Sequence, residues 1–247
     1  MLCAEAKQTC LFERLTTTLE PSAHRITLSQ ELETLEHELI DMGSRAEAMV
    51  GRAVESLIAL DTAAAMRVIE SDDEIDMLDL DIEQRCIRLF ALQQPMATDL
   101  RRIGTVMKMI TDVERIGDLS VDIAKAGLKI EREIGDVSYI DLARISGVAR
   151  TMLRESLEAF IKHDLDLVES VIARDDEVDE LYRDLRGQIH DHMRQKPDDV
   201  VAASWLLLAL HHIERIADHA VNIAERVSFM VTGRFETLAH SHGPKST

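Results

Sequence analysis

Two short acidic runs carry the residues most able to do chemistry. VIESDDEID (68–76) recurs as VIARDDEVD (171–179), and DVERIGDLSVDIAK (112–125) recurs as HIERIADHAVNIAE (212–225). In the first run Asp72 and Asp76 are four residues apart, as are Asp175 and Asp179 in its copy. On a helix each couple would share one face. In the second run Glu114, Asp118 and Asp122 form a stripe, answered by Glu214, Asp218 and Asn222, with His211 one turn ahead of Glu214. Carboxylates gathered at this density repel and raise one another's pKa unless a cation compensates. Oxygen donors in such number suit a hard cation, and an added imidazole shifts preference toward iron, zinc or nickel. The alternative is a solvated acidic face on which Arg115 and Arg215 pair some of the carboxylates.

Helices must position these residues. Leu32, Leu35, Leu39, Met42, Ala46, Met49, Val50, Ala53 and Leu57 recur at three- and four-residue spacing, the pattern of an amphipathic helix. Between Leu28 and Phe235 the only prolines are Pro95 and Pro197, each marking a turn between two long helices. Asp61 and Asp164 read as N-caps, and Gly135-Asp136 as a break near the middle. Six helices are expected, at about 29–59, 61–92, 96–132, 137–162, 164–194 and 198–231. A turn centred at residues 93–94 would set Asp72 level with Arg115 and Asp76 with Thr111, and a turn at Gln195 would set Asp175 level with about Glu214. The acidic runs repeat in the same order, and Glu55-Ser56-Leu57 returns as Glu155-Ser156-Leu157. Duplication follows. The expected fold is all-α, two tandem antiparallel three-helix bundles over 28–134 and 135–235, with flexible ends at 1–27 and 236–247.

Composition narrows the function classes. Apolar residues make up 46% of the 247-residue chain, enough to bury a core, while aromatics at 3% favour helix packing over sheets. A formal charge of −18 excludes a phosphate-backbone reader and disfavours direct contact with anionic membranes. Cys3, Cys10 and Cys86 are odd in number and not in C-x-x-C spacing, which argues against a disulfide framework or zinc ribbon. The start of the chain lacks a signal-peptide pattern, and no run of about eighteen uncharged apolar residues is found. A cytoplasmic protein is expected.

The remaining candidates are weaker. His24, His240 and His242 lie toward the ends, and His190 and His192 flank Asp191 near a helix C-terminus. His212 and His219 adjoin the second acidic run as ordinary helix residues or as partners of a ligand. Trp205 reads as core or as a subunit contact. No Gly-x-Ser-x-Gly elbow or P-loop is present, so no catalytic site is expected.

ERIGD (114–118), ERIAD (214–218), DDEID (72–76), DDEVD (175–179) and QPMATDLR (94–101) together resemble the PhoU family of phosphate-transport accessory proteins. The resemblance runs over about 28–235, in order and in duplicate. It implies a homodimer or higher homo-oligomer with metal clusters, iron or zinc with magnesium or manganese as further options. The ligands carried over are Asp72, Asp76, Glu114 and Asp118, then Asp175, Asp179, Glu214 and Asp218, with Asp122 and Asn222 a turn further on. It also implies a regulator of phosphate uptake and starvation signalling that acts on a phosphate ABC transporter ATPase and a sensor histidine kinase, and reaches the membrane only through them. Ala217 departs from the motif glycine, and Asn222 leaves the second site one charge short. Two other classes compete: a carboxylate-rich helical metal store and a metal-free acidic adaptor. Ferritin-like stores use Glu-x-x-His on two helices, and the chain contains no such step.

Overall fold

The computed structural model describes residues 21–133 and 135–234, with side chains from Leu28 onward. Helix α1 spans Pro21–Ala59, α2 Thr62–Glu70, α3 Asp72–Gln93, α4 Thr98–Arg132, α5 Leu142–Lys162, α6 Leu165–Gln195 and α7 Val200–Thr232. A 3-10 turn at Pro197–Asp199 leads into α7. No strand occurs among the described residues. The six expected rods are present, with the second one broken at Ser71 into α2 and α3. The expected N-caps form: Asp61 accepts from the Ala64 amide at 2.9 Å, and Asp164 from the Asp166 amide at 2.9 Å.

The elements differ from the sequence expectation in their boundaries. Helix α4 begins at Thr98 rather than near 96, because Gln94 and Ala97 take positive φ and the turn extends past Pro95. Helix α5 begins at Leu142 rather than near 137. There Asp136 accepts from both the amide and the hydroxyl of Ser138, holding a turn, and Asp141 caps α5 through the Arg144 amide at 3.0 Å. At Ser71, where α2 ends, the amide bonds the Arg67 and Val68 carbonyls at 3.1 Å and the hydroxyl donates to the Val68 carbonyl at 2.8 Å.

Helices α4 and α7 pack against each other along their lengths and form the centre of the molecule. They run antiparallel: Lys129 lies over Trp205, Asp112 reaches His219 and Asn222, and Arg101 lies beside Gly233. Helices α1 and α5 also touch and flank this pair, α1 on α4 and α5 on α7. Outside them, α2 and α3 cover α1 and α4, while α6 covers α5 and α7. The α1 stripe from Leu32 to Leu57 is almost fully buried, as its spacing requires. Cys86 is a core residue, and burial first, with Glu83 nearby, pushes its thiol up to about 12. One feature was not anticipated: the segment Pro197–Thr232 is long and apolar enough, by length and composition alone, to cross a membrane. In this fold α4, α5 and α6 pack against α7 and bury half of that apolar window, while Val200, Val201, Leu208 and Val231 are exposed.

Candidate functional site

The first acidic cluster lies where the opening turn of α3 meets the middle of α4. Gly117 makes the approach possible. A Cβ there would stand 3.1 Å from Asp72 Oδ1 and 3.3 Å from Ile75 Cγ2. Asp72 thus lies against Gly117 and Asp118, two to three residues beyond the expected Arg115 level, because the turn is centred beyond residue 94. Burial pushes the Asp72 carboxyl up to about 6, reinforced by Asp76, Asp118 and Asp73 and opposed by Lys125. Glu114 is raised by burial, then by Asp118, Asp79 and Asp76, against the lowering effect of Arg115. Asp72 and Glu114 are therefore each within electrostatic reach of Asp76 and Asp118.

A fifth carboxylate belongs to this cluster. Asp79 is half-buried, is raised by burial with Glu83 and Asp76, and itself raises Glu114. Sequence reasoning passed over it although it lies one turn beyond Asp76 on the same face. Arg115 partly neutralises the group, with Nη1 2.8 Å from Asp118 Oδ2 and Nε 3.4 Å from Glu114 Oε2. Among the described residues no three His, Cys, Asp or Glu side chains come together as a ready metal-ligand set. The donor chemistry suits a hard cation, while the side-chain arrangement is that of a carboxylate patch with Arg115 across it. Asp122, one turn beyond Asp118 on α4, has its side chain 49% exposed and Lys125 Nζ 3.9 Å away, and acts electrostatically on His212.

The second cluster has different neighbours. Asp175 and Asp179 on α6 and Asp218 on α7 are half-buried. Glu214 is more enclosed, its side chain 12% exposed, and His211 Nδ1 lies 3.1 Å from Glu214 Oε2. Tyr182 of α6 stands beside His211, ring centres 6.2 Å apart, with the Arg186 guanidinium over the tyrosine. In the repeat alignment Tyr182 replaces Asp79 and His211 replaces Thr111. Asn222 turns toward the other repeat, where its amide donates to Asp112 Oδ1 at 3.3 Å and His219 Nδ1 lies 2.9 Å from the same oxygen. His212 is buried in the same seam, and burial lowers its pKa against the opposing charge of Asp122.

The fold and the first cluster define an internally duplicated, all-helical protein whose first repeat carries a carboxylate patch. Residues 39–127 and 142–227 both match the PhoU domain model, and the chain belongs to that family. A phosphate-specific transport system accessory protein PhoU homolog of Clostridium acetobutylicum is 35% identical over 211 residues, covering 85% of this chain and 96% of the relative. One from Aquifex aeolicus is 36% identical over 215 residues, covering 87% and 96%. The crystal structure of PhoU from Pseudomonas aeruginosa superposes with a TM-score of 0.80 at 35% identity, covering 83% of this chain and 99% of that one. The phosphate transport system regulatory protein PhoU from Streptococcus pneumoniae gives a TM-score of 0.78 at 29% identity, covering 85% and 99%.

Proposed function

We propose that this protein is a non-catalytic, metal-binding accessory regulator of phosphate-specific transport. In this reading it works in the cytoplasm as a homodimer or higher homo-oligomer, acts on a phosphate ABC transporter ATPase and a sensor histidine kinase, and keeps phosphate-starvation genes off when phosphate is plentiful. Membership of the PhoU family and the names of its relatives support the transport role. The single observation that supports the metal is the crowding of Asp72, Asp76, Asp79, Glu114 and Asp118, with Asp72 raised to about 6. These five side chains would hold a cation in the first repeat once Arg115, itself about half exposed, swings away. Asp175, Asp179, Glu214, Asp218 and His211 would do so in the second. A bound cation would supply charge compensation and so change the face offered to a partner.

A second reading, a metal-free acidic adaptor, draws support from Arg115 already bridging two of the carboxylates. Metal analysis of protein purified without added salts separates the two. Deletion of the gene tests the regulatory role: starvation genes should become expressed in rich phosphate, and normal repression in the deletion strain would remove this function.

A further inference from the structure

The α4–α7 seam has two ends related by the internal duplication, and they are built differently. At one end the Trp205 ring occupies the seam, with Lys129 Nζ 5.9 Å from its centre. The alignment that sets Glu114 against Glu214 also sets Thr105 against Trp205 and Gly104 against Ser204. It replaces Val201 by Arg101, Leu208 by Lys108 and Ala126 by Arg226. At that other end no indole is present, and a groove of about 310 Å³ lies between the helices. That volume falls at the small end of ligand sites.

Three observations indicate what the groove would accept. A Cβ placed on Gly104 would meet nothing within 4 Å, so the space above it is open. Thr105 is 1% exposed, yet its hydroxyl has no hydrogen-bond partner, and neither has the buried Nε of Arg101. Buried donors left in this state cost stability, and a ligand acceptor would recover it. The lining combines Leu100 and the Phe229 ring with the cations Arg101, Lys108 and Arg226, and includes no carboxylate. In a chain of formal charge −18 a cluster of cations without acids is a local exception. Arg101 has a structural use as well, because its guanidinium lies 3.8 Å from a Cβ position on Gly233, at the negative end of α7. That use accounts for neither Lys108, Arg226 nor the Thr105 hydroxyl. The QPMATDLR run, which the acidic clusters leave unused, ends on Arg101 at this groove.

We propose that the groove binds a small aromatic anion. Its flat body takes the place that the duplicated end gives to an indole, and its carboxylate or phosphate head lies among Arg101, Lys108 and Arg226 with the Thr105 hydroxyl donating to it. The site is separate from both acidic clusters and does not depend on the proposed metal.

Calorimetric titration of the full chain tests this with 2-naphthoate and adenosine monophosphate, one for each head group. Neutral 2-naphthalenemethanol, adenosine and inorganic phosphate serve as comparisons. At least one aromatic anion should bind, with its neutral counterpart and inorganic phosphate each about tenfold weaker or more, as expected when charge and apolar body both contribute. Thr105→Trp, which restores the residue of the other end, should abolish binding, and Arg226→Gln should weaken it about tenfold. Should Thr105→Trp lose its helical signal, Gly104→Leu fills the same space from a position with no neighbour at its Cβ. Binding of neither anion, equal binding of the neutral compounds or of phosphate alone, or affinity unchanged by both a filling variant and Arg226→Gln would overturn the proposal.

Discussion

The two repeats descend from one pattern but solve the same packing problem differently. In the first, the middle rod breaks at Ser71, whose hydroxyl turns back to Val68, and α3 opens with Asp72, Asp73 and Glu74 in its first turn. In the second, Arg174 stands at the matching position and reaches out to Glu155, with Nε and Nη2 at 3.0 and 3.1 Å from its two oxygens. Helix α6 runs unbroken through Asp175 and Asp179. The break gives the first cluster a helix N-terminus, which favours anions, yet burial and crowding still raise Asp72. The second cluster exchanges one carboxylate for Tyr182 and adds His211. The two repeats thus differ both in helix continuity and in the groups around their acidic residues.

Removal of the proposed metal ligands, one repeat at a time, carries the largest expected effect. Asp118→Ala combined with Asp218→Ala should abolish bound metal while the circular dichroism stays helical, and stoichiometric metal in that protein would place the ligands elsewhere. With Asp118→Ala alone, the remaining second site should prefer zinc over magnesium about tenfold more strongly than the first site does in Asp218→Ala, because an imidazole favours the softer ion. The added preference should disappear in His211→Ala.

The next effect in size concerns continuity. Arg174→Ala removes a bidentate, partly buried pair and should lower stability by about 1–2 kcal/mol in urea unfolding, whereas Ser71→Ala should change it by about 0.5 kcal/mol or less. Equal effects would show that the break and the ion pair are unrelated.

A pH series sharpens the electrostatic contrast. The folded Asp72 carboxyl lies near 6 against an ordinary 3.8, so between these values the folded chain holds a proton that the unfolded chain has released. That contribution is fully present below pH 3.8 and is lost as pH rises through 6. Asp72→Asn should flatten the loss and stabilise the metal-free protein at pH 7 by about 1 kcal/mol, discounted for solvent screening. A urea midpoint unchanged by the substitution from pH 4 to 7 would contradict it.

A similar effect is expected at the ends of α1 and α5, where Leu60 and His163 hold left-handed φ values of 49° and 54°. His163→Gly should raise stability by about 1 kcal/mol by relieving that strain. Leu60→Gly should gain less, because Leu60 also packs against the core. Thermal melts of the two variants compare them directly.

Much of this architecture was legible because periodicity and duplication reinforce each other. The α1 stripe, the caps Asp61 and Asp164, and the approach of Asp72 to Asp118 follow from spacing alone. What escaped is what duplication hides. Asp79 has Tyr182 as its counterpart, so a search for matched acids passes over it. The break at Ser71 has no counterpart in the second repeat, where α6 runs through Arg174, so the duplication does not announce it. The Asp112 contacts to His219 and Asn222 depend on how the repeats face one another, and no pattern within one repeat carries that information.

The antiparallel crossing of α4 and α7 has a consequence for which halves can pair. A half related to its neighbour by a pseudo-twofold axis carries a surface that could also fit a second copy of itself. In the observed pairing Asp112 meets His219 and Asn222, and Asp122 lies toward His212. Two first halves would instead set Asp112 against Asp122 twice, a like-charge clash at a packed seam. Two second halves would set His212 against Asn222 without any carboxylate. With asparagine rather than aspartate at position 222, the seam between unlike halves forms without the facing carboxylates that two first halves would bring together.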